Sequence, residues 1–576
     1  MSKRLPVPRP EYPRPQFVRS EWLNLNGKWD FELDPGISGV ERGLHLGKRL
    51  ARKIVVPFCP ESRLSGLGIK DFMPCVWYRR TFELPRRWEG KRVLLHFGAV
   101  DYEATVWVNG QQVGSHRGGY SPFSFEITRF VGRGANTVVV RAVDDTRSPL
   151  QPSGKQARRF DSYGCCYTRT TGIWQTVWLE AVPATYVQSA RYYPNIDAGT
   201  LTVQTRIGGD AKGCTLRAEA YLGGKKVGSA EGAASGTPTL TLKLAELRLW
   251  EPGKPQLYDL VLSLSRGRER LDVVRSYFGM RKVHIDGLKV RINNRSVFQR
   301  LVLDQGFYPD GIYTAPADSE LRNDVKRAMA MGFNGARLHM KVFEPRFLYW
   351  ADRLGYLCWG EFPNWGLDHK HPLALERMLP EWLEVVERDF NHPAIIGWCP
   401  FNETPGDQNP ELLRTIYRVT KSVDWTRPVI DTSGYVHVET DIYDCHNYEQ
   451  DPAKLAAAFE QFKTSDKVWH NSDRDAAYRG QPYFVSEYGG IWWNPGQKDQ
   501  KAWGYGARPE TEEEFLTRYR ALTETLLFHP KMFAFCYTQL YDIEQEVNGL
   551  YTYDRRPKFA PRLIRRINTQ KAAIEE

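Results

Sequence analysis

The 576-residue sequence lacks any run of apolar residues long enough to cross a membrane. A spanning helix requires about 18 consecutive apolar residues, and no stretch of this chain approaches that length. The first residues, MSKRLPVPRPEYPRPQF, are basic and rich in proline, and they contain no apolar segment of the kind that a secretory signal carries. We therefore expect a cytoplasmic protein with no membrane partner.

Patterns that bind nucleic acids or nucleotides are also missing. Lys and Arg exceed Asp and Glu by 79 to 68, but the basic residues are scattered and form no run, zinc-finger or helix-turn-helix pattern. A solvated basic surface without a nucleic-acid partner is the expected interpretation, and a scaffold that binds polyanions, with salt-sensitive affinity, is the alternative. No GxGxxG or Walker pattern follows a predicted strand, so we expect no nucleotide cofactor.

Paired cysteine motifs are absent as well. The chain has 9 cysteines, an odd number, and no two have the Cys-x-x-Cys spacing. Four of them lie inside apolar, strand-like runs. This usage predicts buried thiols in a reducing compartment rather than a disulfide framework or a zinc site.

The first half of the chain is predicted to be all β. From about residue 20 to residue 180, short alternating runs such as 77–84 and 104–108 are separated by turn residues, and Asn109 followed by Gly110 is a strong hairpin signal. Short strands without a long helical period predict a β-sandwich. Residues from about 182 to 284 repeat this character over an immunoglobulin-like length, which predicts a second sandwich.

From about residue 286 onward, apolar strand-like runs alternate with amphipathic helical stretches. Eight such strand–helix units predict a (β/α)8 barrel, and an open doubly wound sheet is the alternative, which the missing phosphate loops disfavour. The predicted strands are 298–303, 335–339, 356–361, 395–402, 428–432, 442–446, 483–487 and 533–538. The predicted helices include 319–331, 345–354, 376–391, 411–423, 511–529 and 558–575.

Two glutamates close predicted strands of this barrel. The fourth strand ends in Asn402 and Glu403, and the seventh ends in Glu487. A barrel carries its working residues at the carboxyl ends of its strands, so these carboxyl groups are expected to face each other across the mouth. One such group can protonate a glycosidic oxygen while the other attacks or activates water. Solvated loop residues are the alternative, which fits a single strand-end glutamate better than two.

The motifs around these glutamates, GWCPFNE at 397–403 and FVSEYGG at 484–490, resemble the acid/base and nucleophile motifs of glycoside hydrolase family 2. That family comprises β-galactosidases, β-glucuronidases, β-mannosidases and related exo-enzymes. The resemblance covers nearly the whole chain. Segments similar to the family's jelly-roll domain and its exit are LNLNGKWDF at 23–31, WYRRTF at 77–82, VWVNG at 106–110, GYSPF at 119–123 and TGIWQTVW at 171–178.

The resemblance implies a fold of three domains and a mechanism. The domains are a sugar-binding-like jelly-roll β-sandwich over 1–181, an immunoglobulin-like β-sandwich over 182–284 and a catalytic (β/α)8 TIM barrel over 285–576. The mechanism is a retaining double displacement with Glu487 as nucleophile and Glu403 as general acid/base. Asn402 would hydrogen-bond the sugar 2-hydroxyl. Thr404 stands where the family commonly has proline, a departure that leaves the acid/base in place.

Further strand-end residues match the family's site. Arg337 and His339 end the second strand, and Arg337 would keep the nucleophile ionised, with a structural ion pair as the alternative. Tyr448, shortly after the sixth strand, matches the tyrosine expected to hydrogen-bond the nucleophile, and His446 has a structural role as its alternative. Sugar-binding roles, with packing or loop capping as the alternative, are assigned to Asp304, Trp365, Tyr537 and Gln539.

The expected sugar is neutral. In the family's β-glucuronidases, an Asn-x-Lys motif precedes the segment that matches 549–555, and its lysine binds the substrate carboxylate. Here Glu546 stands in place of the asparagine and Asn548 in place of the lysine, and a carboxylate beside a uronic acid would repel it. β-Galactosidase-like activity is therefore expected. β-Glucosidase, β-mannosidase, arabinopyranosidase and glucosaminidase activities are the alternatives, and β-glucuronidase activity is disfavoured.

The resemblance implies no cofactor, and we expect no metal, although Glu361 at the third strand end is considered as a ligand. The partner is a glycoside or oligosaccharide substrate, and a homo-oligomer is left open. The segment 162–167, SYGCCY, is expected to be either a loop lent to the pocket or a core corner. A non-catalytic carbohydrate-binding relative is the alternative to an enzyme, and the presence of both glutamates disfavours it.

Overall fold

The computed structural model describes residues 7–496 and 501–575. In these residues, 31 strands and seven α-helices form two successive β-sandwiches followed by a barrel. This is the order of domains that the sequence predicts. No helix in the described part of the chain is both long and apolar enough to cross a membrane.

The first sandwich contains twelve strands and four short 3₁₀ helices, the latter at Leu44–Leu46, Arg63–Ser65, Arg86–Trp88 and Thr128–Phe130. The strands are β1 (Trp22–Asn24), β2 (Gly27–Leu33), β3 (Arg52–Val56), β4 (Cys75–Glu83), β5 (Arg92–Phe97), β6 (Val100–Asp101), β7 (Glu103–Val108), β8 (Gln111–Arg117), β9 (Phe123–Glu126), β10 (Ala135–Val143), β11 (Gly172–Ile173) and β12 (Val177–Val182).

Two antiparallel sheets of this sandwich enclose its core. One has six strands in the order β3-β2-β4-β10-β7-β8, and the other has four in the order β1-β12-β5-β9. Side chains from both sheets, among them Trp29, Leu95 and Val140, are buried in one cluster. Asn109 and Gly110 both have positive φ and join β7 to β8, so the predicted hairpin is confirmed.

The second sandwich is smaller. Its strands are β13 (Tyr186–Asn195), β14 (Thr200–Gly208), β15 (Cys214–Leu222), β16 (Lys225–Ala233), β17 (Thr239–Lys243), β18 (Tyr258–Arg266) and β19 (Glu269–Phe278). The order β13-β14-β17 forms one sheet and β16-β15-β18-β19 the other. Every second residue of β15 and β18 is buried, which is the pattern of strands with one face on a core.

A small sheet of β20 (Val283–Asp286), β21 (Lys289–Ile292) and β22 (Arg295–Ser296) leads into the barrel. The barrel strands are β23 (Gln299–Asp304), β24 (Gly335–Leu338), β25 (Leu357–Glu361), β26 (Ile395–Cys399), β27 (Phe401–Thr404), β28 (Thr432–Tyr435), β29 (Tyr443–Asn447), β30 (Tyr483–Gly489) and β31 (Met532–Thr538). The helices are α1 (Asp318–Ala330), α2 (Pro345–Leu354), α3 (Ala374–Asp389), α4 (Pro410–Val423), α5 (Pro452–Thr464), α6 (Glu512–Leu527) and α7 (Pro561–Asn568).

Parallel pairing closes most of the barrel wall. Seven strands form one sheet in the order β26-β25-β24-β23-β31-β30-β29, in which β31 pairs with both β30 and β23. Pro400, which has no N–H to donate, separates β26 from β27, and β27 pairs with β28 to form the remaining wall. All eight barrel positions therefore place their carboxyl ends at one rim.

The barrel departs from the prediction at its fifth unit and its end. The fifth strand is β28, whereas the prediction placed it at 428–432, and no helix lies between β28 and β29. The last helix was predicted to extend to residue 575, but α7 ends at Asn568. The prediction named no helix where α5 lies.

Candidate active site

Glu403 and Glu487 lie at the rim of the barrel, in β27 and β30. One oxygen from each carboxylate and one ring nitrogen of His446 all lie within 4.8 Å of one another. Retaining glycosidases have catalytic carboxyl groups about 5–5.5 Å apart, whereas inverting enzymes leave room for a water molecule between them. The separation therefore suits direct attack by one carboxylate on the sugar.

The backbone turns Glu403 toward the barrel mouth. Its φ of 47° lies in the left-handed region, which costs a residue with a side chain roughly 1–2 kcal/mol. The loop after β25 holds the preceding peptide, since Asn364 Oδ1 accepts the Asn402 N–H at 2.9 Å. Trp365 Nε1 donates to the Asn402 carbonyl at 3.1 Å. These contacts maintain the strained conformation.

Arg337 links the substrate-facing residues. Its buried guanidinium donates to Glu361 Oε1 at 2.6 Å, to Glu487 Oε1 at 3.1 Å and to Asn402 Oδ1 at 2.9 Å. Because the Asn402 oxygen accepts from Arg337, the amide nitrogen is the free end of that side chain. It is buried and has no hydrogen-bond partner, so it is available to a sugar hydroxyl.

His446 lies between the two glutamates. Its Nδ1 is 2.8 Å from Glu403 Oε1, and its Nε2 is 3.4 Å from Glu487 Oε1. Tyr448 donates its hydroxyl to Glu487 Oε2, and its ring stacks on Tyr505 with centroids 3.6 Å apart. The predicted nucleophile thus has a partner on each oxygen.

The charges around Glu487 favour its ionised form. Burial alone would raise the pKa of this carboxyl group, but the positive charges of His446, Arg337 and Lys155 outweigh burial and lower the pKa to about 2. Burial lowers the pKa of His446, but the contacts with Glu487 and Glu403 outweigh it and raise that pKa. Glu487 is therefore a carboxylate throughout the neutral pH range.

Three other predicted residues line or border this site. His339 Nδ1 lies 3.0 Å from Glu361 Oε2, and its Nε2 is buried without a partner. Trp365 lies beside Asn402, as described above. Gln539 is deeper, where it accepts from Gln305 at 2.6 Å and donates to Asn548 at 2.9 Å. It supports the wall of the pocket through these amides.

Two predicted sugar-binding residues have their described contacts away from the carboxylate pair. Tyr537 faces the helices, because its ring packs 4.8 Å from that of Tyr519 in α6, and the next residue, Thr538, contacts Tyr448 instead. The alternation of side chains along β31 turns Tyr537 outward, so the described contacts give no support to the sugar-binding role predicted for it. Asp304 is buried against Asp324, and burial and this neighbour raise its pKa to about 7.

The first sandwich contributes residues that the sequence did not predict. Lys155 is 7% exposed, and its Nζ lies 4.6 Å from the ring centroid of Trp365. The segment 162–167 reaches the same rim, where Gln545 donates to the Gly164 carbonyl at 2.6 Å and Tyr167 donates to Glu546. This segment is therefore a loop at the pocket, one of the two roles expected for it. No sequence signal marks Lys155, since its place depends on how two domains pack.

One group of side chains among the described residues could hold a metal ion, and it consists of Glu403, His446 and Glu487. A cation there would occupy both carboxylates that hydrolysis requires. Glu361, considered from the sequence as a metal ligand, instead accepts from Arg337 and lies against His339. We therefore assign no step to a metal.

Comparison with known proteins relates the whole chain to glycosidases. Three family models match: "Glycosyl hydrolases family 2, sugar binding domain" over residues 23–179, "Glycosyl hydrolases family 2" over 185–281 and "Glycosyl hydrolases family 2, TIM barrel domain" over 319–572. A β-glucuronidase of Paenibacillus borealis is 25% identical, over 96% of this chain and 98% of that protein. A β-galactosidase of Thermoanaerobacter pseudethanolicus is 24% identical, over 73% of this chain and 54% of that protein.

Solved structures show the same fold. The β-glucuronidase of Ruminococcus gnavus superposes with a TM-score of 0.80 at 20% identity, covering 98% of this chain and 100% of that one. The β-glucuronidase of Lactobacillus rhamnosus gives a TM-score of 0.81 at 20% identity, covering 97% and 99% of the two chains. At this level of identity the superposition establishes the arrangement of domains.

Proposed function

The chain belongs to glycosyl hydrolase family 2 and is a retaining exo-glycosidase, and we propose that it hydrolyses β-D-glucuronides. The observation that carries the catalytic part is the carboxylate pair, with oxygens of Glu403 and Glu487 and a nitrogen of His446 within 4.8 Å. The choice of glucuronides is supported by the relatives that align with this chain over nearly their full length, which are named β-glucuronidases.

Each carboxylate has one role in the proposed reaction. Glu487 attacks the anomeric carbon and forms a glycosyl ester, while Glu403 protonates the leaving oxygen. Glu403 then takes a proton from water, which attacks the anomeric carbon from the face that the first leaving group vacated. The bond from that carbon to Glu487 breaks, the carboxylate is restored, and the sugar is released with its β configuration. The free amide nitrogen of Asn402 would bind the 2-hydroxyl.

The sequence predicts a neutral sugar because Glu546 occupies the place of an asparagine in the glucuronidase motif. In the structure, Glu546 accepts from the Tyr167 hydroxyl and from Asn548 Nδ2. Burial raises the pKa of Glu546 to about 7, so much of this group is uncharged at neutral pH. Its repulsion of a uronic acid is weaker than the sequence implies.

A neutral β-galactoside is the second candidate, because Asn548 supplies no charge where the family's glucuronidases have a lysine. A panel of 4-nitrophenyl β-D-glucuronide, β-D-galactoside, β-D-glucoside, β-D-mannoside and α-L-arabinopyranoside separates the candidates. We expect the highest kcat/KM for the glucuronide. A higher value for the galactoside would favour the second candidate, and no turnover of any glycoside would contradict the catalytic proposal.

A further inference from the structure

Backbone contacts on both sides of Lys155 hold its segment in place. The Ser153 N–H donates to the Trp365 carbonyl at 2.7 Å, and the Tyr167 N–H donates to the Lys155 carbonyl at 2.8 Å. Gly154 has a positive φ, and a Cβ there would lie 2.5 Å from the Met340 carbonyl oxygen. The segment is therefore packed closely on the barrel, and this packing fixes the backbone position from which the Lys155 side chain starts.

The Lys155 ammonium differs from two other buried ones in the described structure. Lys341 Nζ donates to the carbonyls of Gly306 and Tyr313, and Lys558 Nζ donates to Asp542 at 2.6 Å. Lys155 Nζ has neither a hydrogen bond nor an ion pair with any described residue, and it lies 4.6 Å from the centroid of the Trp365 ring. An ammonium that the described protein leaves without an acceptor is available to an anion that is not part of the chain.

The groups that face Lys155 are acidic, but none neutralises it by contact. Glu403, Glu487, Glu546 and the Cys165 thiol surround it. No carboxylate oxygen among them lies within the 4.0 Å of an ion pair. Burial lowers the pKa of Lys155, and these neighbours raise it above its ordinary value, so the side chain stays charged.

The position of Lys155 is next to the sugar site. Trp365, under its ammonium, donates to the carbonyl of Asn402, which directly precedes Glu403. Tyr167, which is bonded to its backbone, contacts Glu546 on the loop after β31. Lys155 thus lies between the acid/base and the loop where the family's glucuronidases bind the carboxylate.

We propose that Lys155, delivered by the first sandwich, binds the C6 carboxylate of the substrate and makes the site selective for uronic acids. This inference rests on the proposed function. Arg337, the guanidinium of the site, already donates to Glu361, Glu487 and Asn402, and His446 lies between Glu403 and Glu487. Lys155 therefore supplies, from another domain, the charge that Asn548 lacks.

The test compares 4-nitrophenyl β-D-glucuronide with the corresponding β-D-glucoside, which differs only in carrying CH2OH at C6. In full-length Lys155→Gln, we expect the ratio of kcat/KM for the glucuronide to kcat/KM for the glucoside to fall about 10- to 100-fold, because a charged hydrogen bond is lost. Most of this fall should come from a higher KM for the glucuronide. Lys155→Arg, which keeps the charge, should retain most of the preference. Lys225→Gln removes one exposed charge from the second sandwich and should leave the ratio unchanged.

The outcomes separate this inference from the function on which it rests. If the wild type hydrolyses the glucuronide but the ratio is the same in Lys155→Gln, the inference is overturned and the function stands. If Lys155→Gln fails to fold, Lys155→Arg decides, since loss of its glucuronide preference would overturn the inference. A wild type that hydrolyses neutral glycosides and no glucuronide would overturn both.

Discussion

Arg337 connects the nucleophile to the residue that is proposed to hold the 2-hydroxyl. One guanidinium bonds Glu487 and Asn402, and its third partner, the Glu361 carboxylate, in turn lies against His339. These contacts make the ionisation of Glu487 and the orientation of Asn402 depend on the same side chain. The sequence placed Arg337 at a strand end but left open a structural ion pair, and in the structure it makes both kinds of contact.

Removal of the Arg337 charge should shift the acid limb of the pH profile of kcat/KM to higher pH. The Glu487 pKa of about 2 reflects burial opposed by positive neighbours, so loss of one neighbour raises it. In Arg337→Gln, we expect the acid limb of kcat/KM to move about one to two pH units upward, as the loss of a charged hydrogen bond implies. The measurement is kcat/KM from pH 2 to 8 for both proteins, with circular dichroism at each pH to verify folding. An acid limb at the same pH in the variant and the wild type would mean that Arg337 does not contribute to the ionisation of Glu487.

Replacement of the nucleophile should be rescued chemically. In Glu487→Ala, turnover of the accepted glycoside should fall by roughly 10⁴-fold or more, since the covalent step is lost. Azide, which fits the space left by the carboxylate, should restore part of the activity and release a glycosyl azide. Unchanged activity in Glu487→Ala would contradict the assignment, and Glu376→Ala, an exposed carboxylate on α3, is the control.

At the level of strands and helices, the apolar pattern predicted most of the barrel strands. It predicted less well which face of a strand a single side chain points to. β30 carries Glu487 and β27 carries Glu403, as the strand-end argument requires. Tyr537 and Thr538 of β31 show this limit, because neighbouring residues of a strand point to opposite faces. The Tyr537 ring packs on α6, whereas the Thr538 hydroxyl contacts Tyr448 in the active site.

Local signals also fail where pairing decides the structure. The apolar residues at 428–432 predicted a strand, but Val429 makes only an isolated bridge with Trp398, and β28 begins at Thr432, where it pairs with β27. α5 did carry a signal that the prediction did not use. Asp451 caps it by accepting the Ala453 N–H at 2.9 Å, and Pro452 is at its first turn.

Contact between neighbouring strands should be sensitive to a single methyl group. A Cβ at Gly397 in β26 would lie 2.1 Å from the buried ring of Trp359 in β25. We expect Gly397→Ala to lower the free energy of unfolding by about 1–3 kcal/mol, because the ring has no space to move. Denaturant unfolding measures this. Gly132→Ala, where nothing lies within 4 Å, is the matched control, and equal stability of the two variants would contradict the packing.

For the molecule as a whole, the active site is built by more than its catalytic barrel. Periodicity and motifs predict three domains and both glutamates, since each is a property of a local segment. The position of Lys155 follows from docking of the first sandwich on the barrel, which no local pattern encodes. Buried contacts hold that docking, among them the Tyr120 N–H donating to Glu381 at 2.7 Å and Arg9 bonded to Glu344 through two nitrogens at 2.9 Å.

Loss of the Arg9 contact should weaken the docking. Both partners are buried, so removal of the guanidinium leaves Glu344 without its counter-ion, which costs about 3–5 kcal/mol. We expect Arg9→Met to lower the Tm clearly. The double variant Arg9→Met with Glu344→Gln should recover part of the loss, because it leaves no buried charge. A wild-type Tm in Arg9→Met would show that the contact contributes nothing to stability.

The central claim is that Glu487 attacks the sugar directly and that two inversions follow one another at the same carbon. Proton NMR of a rapid reaction on the best glycoside of the panel observes the anomer that is released before mutarotation. The account predicts that the β-anomer appears first and the α-anomer only later. Release of the α-anomer first would mean that water, and not Glu487, attacks the substrate.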